Sequence, residues 1–160
     1  MLARLAVIVT VLASPVGAAG EPPRLRVDHP QLARTIASGL QRSQAFRHIA
    51  EHLEASDVVV YAQFGRCPGG VEACLEFVTA AAPFLYVRAT IEPFKKPECE
   101  IVGLLAHELQ HALELSGKGV TTRAQFGEFY EKHGRRWSAG YETDEAAAAG
   151  SRAERECRAR

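Results

Sequence analysis

His107, Glu108 and His111 are the residues whose types and spacing could do chemistry most directly. They lie in the segment HELQH, which matches the pattern H-E-x-x-H. Side chains four residues apart on a helix lie about 40° apart around the axis and about 6 Å apart along it, so both imidazoles can reach one metal ion. Neutral imidazoles suit Zn²⁺, and a catalytic zinc site keeps one position open for water. Glu108 is the predicted general base, which takes a proton from that water.

The residues around this motif are apolar on almost every side of the predicted helix: Ile101, Val102, Leu104, Leu105, Ala106, Leu109, Ala112 and Leu113. A helix that is apolar all round is typically buried. Burying two histidines and a glutamate is costly unless they share a ligand or a hydrogen-bonded network. The sequence therefore favours a metal site, and the alternative is a hydrogen-bonded structural cluster.

A third ligand has to come from another part of the chain. The metzincin extension is excluded, because Glu114 and Gly117 occupy the positions of its glycine and histidine and no methionine follows Met1. Carboxylates on a later helix are the next option. Glu142 and Glu145 are the candidates there.

Glu142 is the preferred carboxylate of the two. We predict one helix over residues 140–158, with a face of small residues that packs closely on the helix of the motif: Ala146, Ala149, Gly150, Ala153 and Cys157. In steps of 100° per residue, Glu142 lies about 30° from the middle of that face and Glu145 about 90° from it. Glu142 is the predicted ligand, and Glu145 is the fallback.

His48 and His52 form a second histidine pair, in the inverted pattern H-x-x-E-H with Glu51. Their helix is amphipathic, and its apolar stripe consists of Phe46, Ile49, Ala50 and Leu53. Both histidines lie off that stripe. We therefore interpret them as surface residues and not as a metal site.

The elements that must position these residues indicate an α+β fold. We predict helical structure over residues 30–55, with a break at Ser43, and later helices over residues 98–116, 121–133 and 140–158. Strands are expected from Val58, over residues 75–80 and over residues 84–91, after an extended, mobile leader at residues 21–27. The result is a small sheet of about three strands, packed against an N-terminal helical segment and a C-terminal set of helices that includes the helix of the motif. Residues 21–160 are expected to form a single domain.

Residues 1–20 are predicted to be a signal peptide. Arg4 precedes an apolar run over residues 5–13, and small residues follow at 17–20. The run is shorter than the roughly 20 apolar residues that span a bilayer, so we expect no stable membrane span after cleavage. The predicted location is secreted or periplasmic, and the alternative is an uncleaved anchor.

The four cysteines are expected to form disulfides in such an oxidising compartment. Cys67 and Cys74 flank a Pro-Gly-Gly turn and could close a small loop, which leaves Cys99 with Cys157. Antiparallel packing of the two helices that carry Cys99 and Cys157 would favour that bridge. Three pairings are possible in principle, and free buried thiols are the alternative.

Composition excludes other classes of protein. With 47% hydrophobic and 24% charged residues the chain is neither disordered nor fibrous. The 19 basic and 19 acidic residues balance, so the chain lacks the overall basic charge of a dedicated nucleic-acid binder.

The segment HELQHALE, followed by YETDEAAAAG, resembles the gluzincin (thermolysin-like) zinc metallopeptidases, and also a group of small exported bacterial proteins with an HELQHA motif. The resemblance implies a zincin-like metallopeptidase domain with zinc on His107, His111 and Glu142, and Glu108 as general base. It also implies that a strand before the motif, here residues 84–91, pairs with an extended peptide substrate. Gluzincins often have an aspartate four residues after the glutamate ligand, which orients a zinc-binding histidine. Ala146 stands at that position, so another residue must orient the histidine.

The function expected from the sequence is an exported zinc-dependent hydrolase, most simply a small endopeptidase that acts on an extended peptide or protein. Candidate stabilisers of the oxyanion are Tyr130, His133, Arg136 and Tyr141. One alternative is a non-catalytic, zinc-stabilised binding or scaffold protein, whose closed site takes its fourth ligand from Glu145 or His133. A disulfide-held binding domain without metal is the other.

Overall fold

The computed structural model describes residues 21–93, 95–137 and 140–159, and the predicted signal peptide at residues 1–20 lies outside these ranges. The fold is α+β, as predicted. Its elements are β1 (Leu25–Val27), α1 (Pro30–Arg42), α2 (Gln44–Glu54), β2 (Val58–Phe64), β3 (Ala73–Ala81), β4 (Phe84–Ile91), α3 (Glu98–Glu114), α4 (Arg123–His133), β5 (Arg135–Trp137), β6 (Gly140–Glu142) and α5 (Asp144–Arg158). None of the helices in these ranges has both the length and the apolar character needed to cross a membrane.

The main sheet has four strands in the order β1-β2-β4-β3, where the sequence predicted about three. Strands β1, β2 and β4 are parallel, and β3 is antiparallel to β4. Alternate residues of β2 and β4 enter the core with the helices, among them Val58, Val60, Val87 and Ala89. This alternation places the helices on one face of the sheet.

Two predictions about the strands are wrong. Residues 25–27 are not a mobile leader but strand β1, which pairs with residues 60–62. Strand β4 cannot accept a substrate strand, because β2 and β3 already occupy its two edges. The strand with a free edge on that side of the sheet is β3.

The predicted break at Ser43 is confirmed. Ser43 ends α1 and caps α2, and its hydroxyl accepts a hydrogen bond from the Phe46 backbone N–H. Glu156 of α5 strengthens the same helix start, because its carboxylate accepts from the Ala45 backbone N–H at 2.8 Å and from the Ser43 hydroxyl at 2.9 Å. The carboxylate therefore joins α5 to the N-terminus of α2.

Helices α3 and α5 cross closely and run antiparallel. A methyl group added at Gly150 would lie 2.9 Å from the carbonyl oxygen of Gly103, so only glycine allows this approach of the two backbones. The Cys99–Cys157 disulfide joins the start of α3 to the end of α5, and Cys67–Cys74 closes the loop before β3. Both disulfide pairings agree with the prediction.

The single helix predicted over residues 140–158 is wrong at its start. Residues 140–142 form strand β6, which pairs with β5 in a small antiparallel hairpin, and α5 begins at Asp144. Thr143 is the N-cap, and its hydroxyl accepts from the Ala146 backbone N–H at 3.2 Å. Asp144 and Glu145 then occupy the first turn, where the helix dipole favours negative charge.

Candidate metal centre

Helix α3 and strand β6 bring three side chains with metal-ligating atoms together. His107 Nε2 lies 3.4 Å from Glu142 Oε2, and His111 Nε2 lies 3.5 Å from Glu142 Oε1. One ligand atom from each residue lies within 4.8 Å of the other two, so the group could hold a metal ion. These are the three residues that the sequence predicted as ligands.

Glu142 reaches this group from the hairpin and not from a helix face, so the geometric reason for choosing it was wrong. Glu142 is the last residue of β6, and it directly precedes Thr143, the N-cap residue of α5. Glu145, the fallback ligand, is exposed in the first turn of α5. His133 is exposed at the end of α4, where its ring packs on Phe129 with 4.6 Å between centroids. Neither belongs to the group.

The donor set fits a divalent cation. Glu142 Oε1 is buried and has no hydrogen-bond partner among the described residues. A buried carboxylate oxygen needs a positive charge nearby, and in the metal-free chain the imidazole of His111, with Nε2 3.5 Å away, can supply it. A bound cation would take over that role. Ligands about 2.0–2.1 Å from a tetrahedral zinc ion are about 3.3 Å from each other. The 3.4 Å and 3.5 Å separations are close to that spacing, although they join the histidines to the two different oxygens of Glu142, and the three ligand atoms lie within 4.8 Å of one another.

Glu114 orients His111, and it is a residue that the sequence analysis missed. Glu114 Oε2 lies 3.1 Å from His111 Nδ1, and Glu114 Oε1 accepts a hydrogen bond of 2.6 Å from the Thr143 hydroxyl. The contact at Nδ1 leaves Nε2 of His111 directed at Glu142. The sequence did carry a signal for this contact, because residues three positions apart, such as His111 and Glu114, lie on the same face of a helix. Glu114 thus fills the orienting role for which Ala146 is unsuited.

Tyr130 supports the same histidine from α4. It is buried, and its hydroxyl donates a hydrogen bond of 2.6 Å to the backbone carbonyl of His111. Burial, with the charges of Glu114 and Glu108, raises the pKa of Tyr130 well above its ordinary value. The phenol therefore stays protonated and remains a donor to that carbonyl.

The two histidines differ in protonation in the metal-free chain. Burial, followed by the charge of His111, lowers the pKa of His107. Burial also acts to lower the pKa of His111, but the carboxylates of Glu114 and Glu142 outweigh it and raise that pKa to about 9. Burial acts to raise the pKa of Glu142, but the contact with His111 and the positive charge there outweigh burial and lower it. In the metal-free chain, charged His111 and ionised Glu142 therefore attract each other, while His107 is neutral.

Glu108 lies beside these residues and lines a cleft of about 550 Å³. Its side chain is almost completely buried, with 4% of the residue exposed, and burial raises its pKa to about 8. The cleft is bounded by β3, α3, α4 and the β5–β6 hairpin. The carboxyl group of Glu108 can therefore exchange a proton near neutral pH.

The four candidate oxyanion stabilisers occupy different places. Tyr141 lines the cleft. Tyr130 lines it as well, but its hydroxyl proton is already donated to His111. His133 and Arg136 are exposed and do not line the cleft. Of the four, Tyr141 is the one that lines the cleft without a described hydrogen bond from its hydroxyl, although it alternates with Glu142 along β6.

His48 and His52 are exposed on α2, as predicted. His52 Nδ1 lies 2.7 Å from the backbone carbonyl of His48, which engages one ring nitrogen within the helix. Within residues 21–93, 95–137 and 140–159, the group of His107, His111 and Glu142 is the one that could hold a metal.

No family model, curated protein or solved structure matches the chain. The centre is therefore interpreted from its own geometry.

Proposed function

We propose that this protein is an exported zinc-dependent hydrolase of the gluzincin type, most simply a small endopeptidase that cuts an extended peptide. The observation that carries the proposal is the convergence of His107, His111 and Glu142 beside the buried carboxyl group of Glu108, at the wall of an open cleft. The donor set of two imidazoles and one carboxylate suits Zn²⁺.

The residues of the chain have separate roles in this proposal. When bound, zinc would supply Lewis-acid activation of a carbonyl group and of water. His107, His111 and Glu142 would hold the ion, and Glu114 orients the His111 ring. Glu108 would accept a proton from water and return it to the leaving amine. Its pKa, raised by burial, suits both transfers.

The cleft favours catalysis over a closed, structural metal site. A structural zinc site is closed by four protein ligands, whereas a catalytic site has three and an open position. Glu145 and His133, the residues expected to close such a site, are both exposed and lie outside the group. The cleft leaves room for substrate at the remaining position.

An oxidising compartment agrees with this activity. Both disulfides are formed, and structural disulfides persist mainly in secreted and periplasmic proteins. We therefore place the enzyme in the periplasm or outside the cell, as the N-terminal segment predicts.

Glu108→Gln is the variant that tests the proposal, with Glu145→Gln as its matched control. The substrate would be a pool of quenched fluorescent peptides, and zinc content would be measured on each protein. We expect Glu108→Gln to keep one zinc ion and to lose about 10²–10⁴-fold in kcat/KM, because it removes the general base. Glu145→Gln should match the wild type, since that side chain is exposed.

Two results would contradict the proposal. Full activity in Glu108→Gln would remove the assigned base. A wild-type protein that binds one zinc ion but cleaves no peptide in the pool would favour a metal-stabilised binding protein.

A further inference from the structure

Trp137 is an exposed aromatic residue at the rim of the cleft. It is the single tryptophan of the chain. It is 66% exposed, against 36–37% for the other exposed large hydrophobic residues of the described ranges. Tryptophan is usually well buried, and it is enriched at the centres of binding interfaces. Its exposure beside the cleft indicates that the indole contacts a ligand bound there.

The register of the β5–β6 hairpin relates Trp137 to the metal ligand. Arg135 pairs with Glu142, and Trp137 pairs with Gly140. Because side chains alternate along a strand, Trp137 and Glu142 lie on the same face of the hairpin. The Arg135–Glu142 pair and the Trp137–Gly140 pair are two positions apart along each strand, which is about 7 Å.

Gly140 leaves the space next to the indole free. A methyl group built at Gly140 would meet no atom of the described residues, its chain neighbours aside, within 4 Å. In an antiparallel ladder the residue directly opposite usually covers its partner's side chain. No side chain of the described residues provides that cover at Gly140, so among them one side of Trp137 is open to a ligand that enters the cleft.

The rest of the cleft wall has an apolar part, and the side chains of Glu72 and Glu76 line it as well. Leu75 of β3, Leu104 of α3 and Phe126 of α4 line it, and each is only partly buried. No lysine or arginine is among the described residues that line the cleft. An apolar side chain would gain contact with Leu75, Leu104 and Phe126, and it brings no charge of its own into the cleft.

We infer that Trp137 forms a subsite for a bulky apolar side chain of the substrate, preferably aromatic, about two residues from the bond that is cut. An extended peptide advances about 3.3 Å per residue, so two residues cover the 7 Å between Trp137 and Glu142. This inference rests on the proposed function and names the substrate class of the same site. Trp137 is a specificity-determining residue in it, and takes no part in proton transfer.

Binding can be measured without turnover in the zinc-loaded Glu108→Gln protein. The probes are blocked, dye-labelled octapeptides of alanine in which one phenylalanine is moved through the positions, with an all-alanine peptide as reference. We expect one placement of phenylalanine to bind about tenfold more tightly than the reference, which corresponds to about 1.4 kcal/mol. With the unlabelled form of that peptide, the emission of the single tryptophan should shift to shorter wavelength as the indole is covered.

Trp137→Ala and Trp137→Tyr, made in the Glu108→Gln background, identify the contact. Trp137→Ala should bind the phenylalanine peptide about tenfold more weakly, whereas Trp137→Tyr should stay within about threefold, because an aromatic ring is retained. Tyr61→Ala is the matched control, since Tyr61 is a 37% exposed aromatic residue outside the cleft lining. Zinc content should be unchanged in all three, which separates a lost contact from a damaged site.

The outcomes separate this inference from the function on which it rests. Equal affinity for all peptides, or undiminished binding in Trp137→Ala, would overturn the subsite. Selective binding through Trp137 with no cleavage by the wild type would support the subsite and contradict the hydrolase. Cleavage by the wild type at equal rates with phenylalanine or alanine at every position would support the hydrolase and overturn the subsite.

Discussion

Replacing Gly150 with alanine tests whether the crossing of α3 and α5 sets the position of His107. The new methyl group would lie 2.9 Å from the carbonyl oxygen of Gly103 and 3.0 Å from Cβ of His107. Ordinary contacts of a Cβ atom begin at 3.4 Å. The two helices must therefore separate by about half an ångström, because the atoms that clash are backbone or are attached directly to it.

The expected effect on stability is a difference of two terms. Overpacking of this kind costs about 1–3 kcal/mol, and alanine recovers up to about 1 kcal/mol of helix propensity. We expect a net loss of about 1–2 kcal/mol, or about 3–8 °C in Tm for a domain of this size. Because His107 moves with α3, zinc affinity should fall about 10–100-fold, as when an outer partner of a ligand is removed.

Gly127→Ala is the matched control for this experiment. Gly127 is exposed in α4, and a methyl group there meets no atom within 4 Å. This control should gain about 0.5–1 kcal/mol and keep its zinc affinity. Urea unfolding and zinc titration against a chromophoric chelator give both numbers. Gly150→Ala as stable as Gly127→Ala, with unchanged zinc affinity, would refute the reasoning.

Three further predictions concern proton binding and covalent links. Burial acts to raise the pKa of Glu156, but the hydrogen bonds that its carboxylate accepts at the start of α2 outweigh burial and lower that pKa. Ionised Glu156 therefore stabilises the fold at pH values above the ordinary carboxyl pKa. This stabilisation is lost as the pH falls through the lowered pKa. Glu156→Gln should cost about 1 kcal/mol in urea unfolding at pH 7, and equal loss at all acidic pH values would contradict this. His111, with its pKa raised to about 9, is protonated at pH 7 in the metal-free protein, so zinc binding should release about one proton. Calorimetry of zinc binding in two buffers of different ionisation enthalpy measures the number of protons released. Identical binding heats in the two buffers would argue against this release. Replacing Cys99 and Cys157 together with serine opens a link across 58 residues and should cost about 4 kcal/mol, while a loss below about 1 kcal/mol in thermal unfolding would show that the bridge adds little.

The parts of the site set by short-range spacing could be predicted from the sequence. His107 and His111 lie four residues apart on one helix, so a single helical turn brings them together whatever the rest of the fold does. The break at Ser43 is likewise a local capping signal. The Cys67–Cys74 bridge is also local, because a Pro-Gly-Gly turn lies between the two cysteines. The Cys99–Cys157 pairing was expected only by what remained and on the condition that two helices pack antiparallel.

The parts set by pairing between distant residues could not be predicted in the same way. Strand β1 has only three residues, and what makes it a strand is its parallel partner more than thirty residues later. The hairpin strands are equally short, so alternation gives too little signal. Glu142 was chosen on the assumption that it lies within a helix. The sequence does carry a signal against this, because Thr143 is a typical N-cap residue and is followed by two acidic residues, which marks Asp144 as the first residue of the helix.

The position of Glu142 links two properties that are separate in many enzymes. His107 and His111 belong to a helix held by the core, whereas Glu142 shares a short surface hairpin with Trp137. Insertions, deletions or substitutions in that hairpin can accumulate without disturbing the packing of α3 against α5. Each such change would alter the metal ligand and the cleft rim together. Variation in this segment would therefore change metal affinity and substrate preference together. A change of substrate preference through the hairpin would be restricted to sequences that still position Glu142 for metal binding.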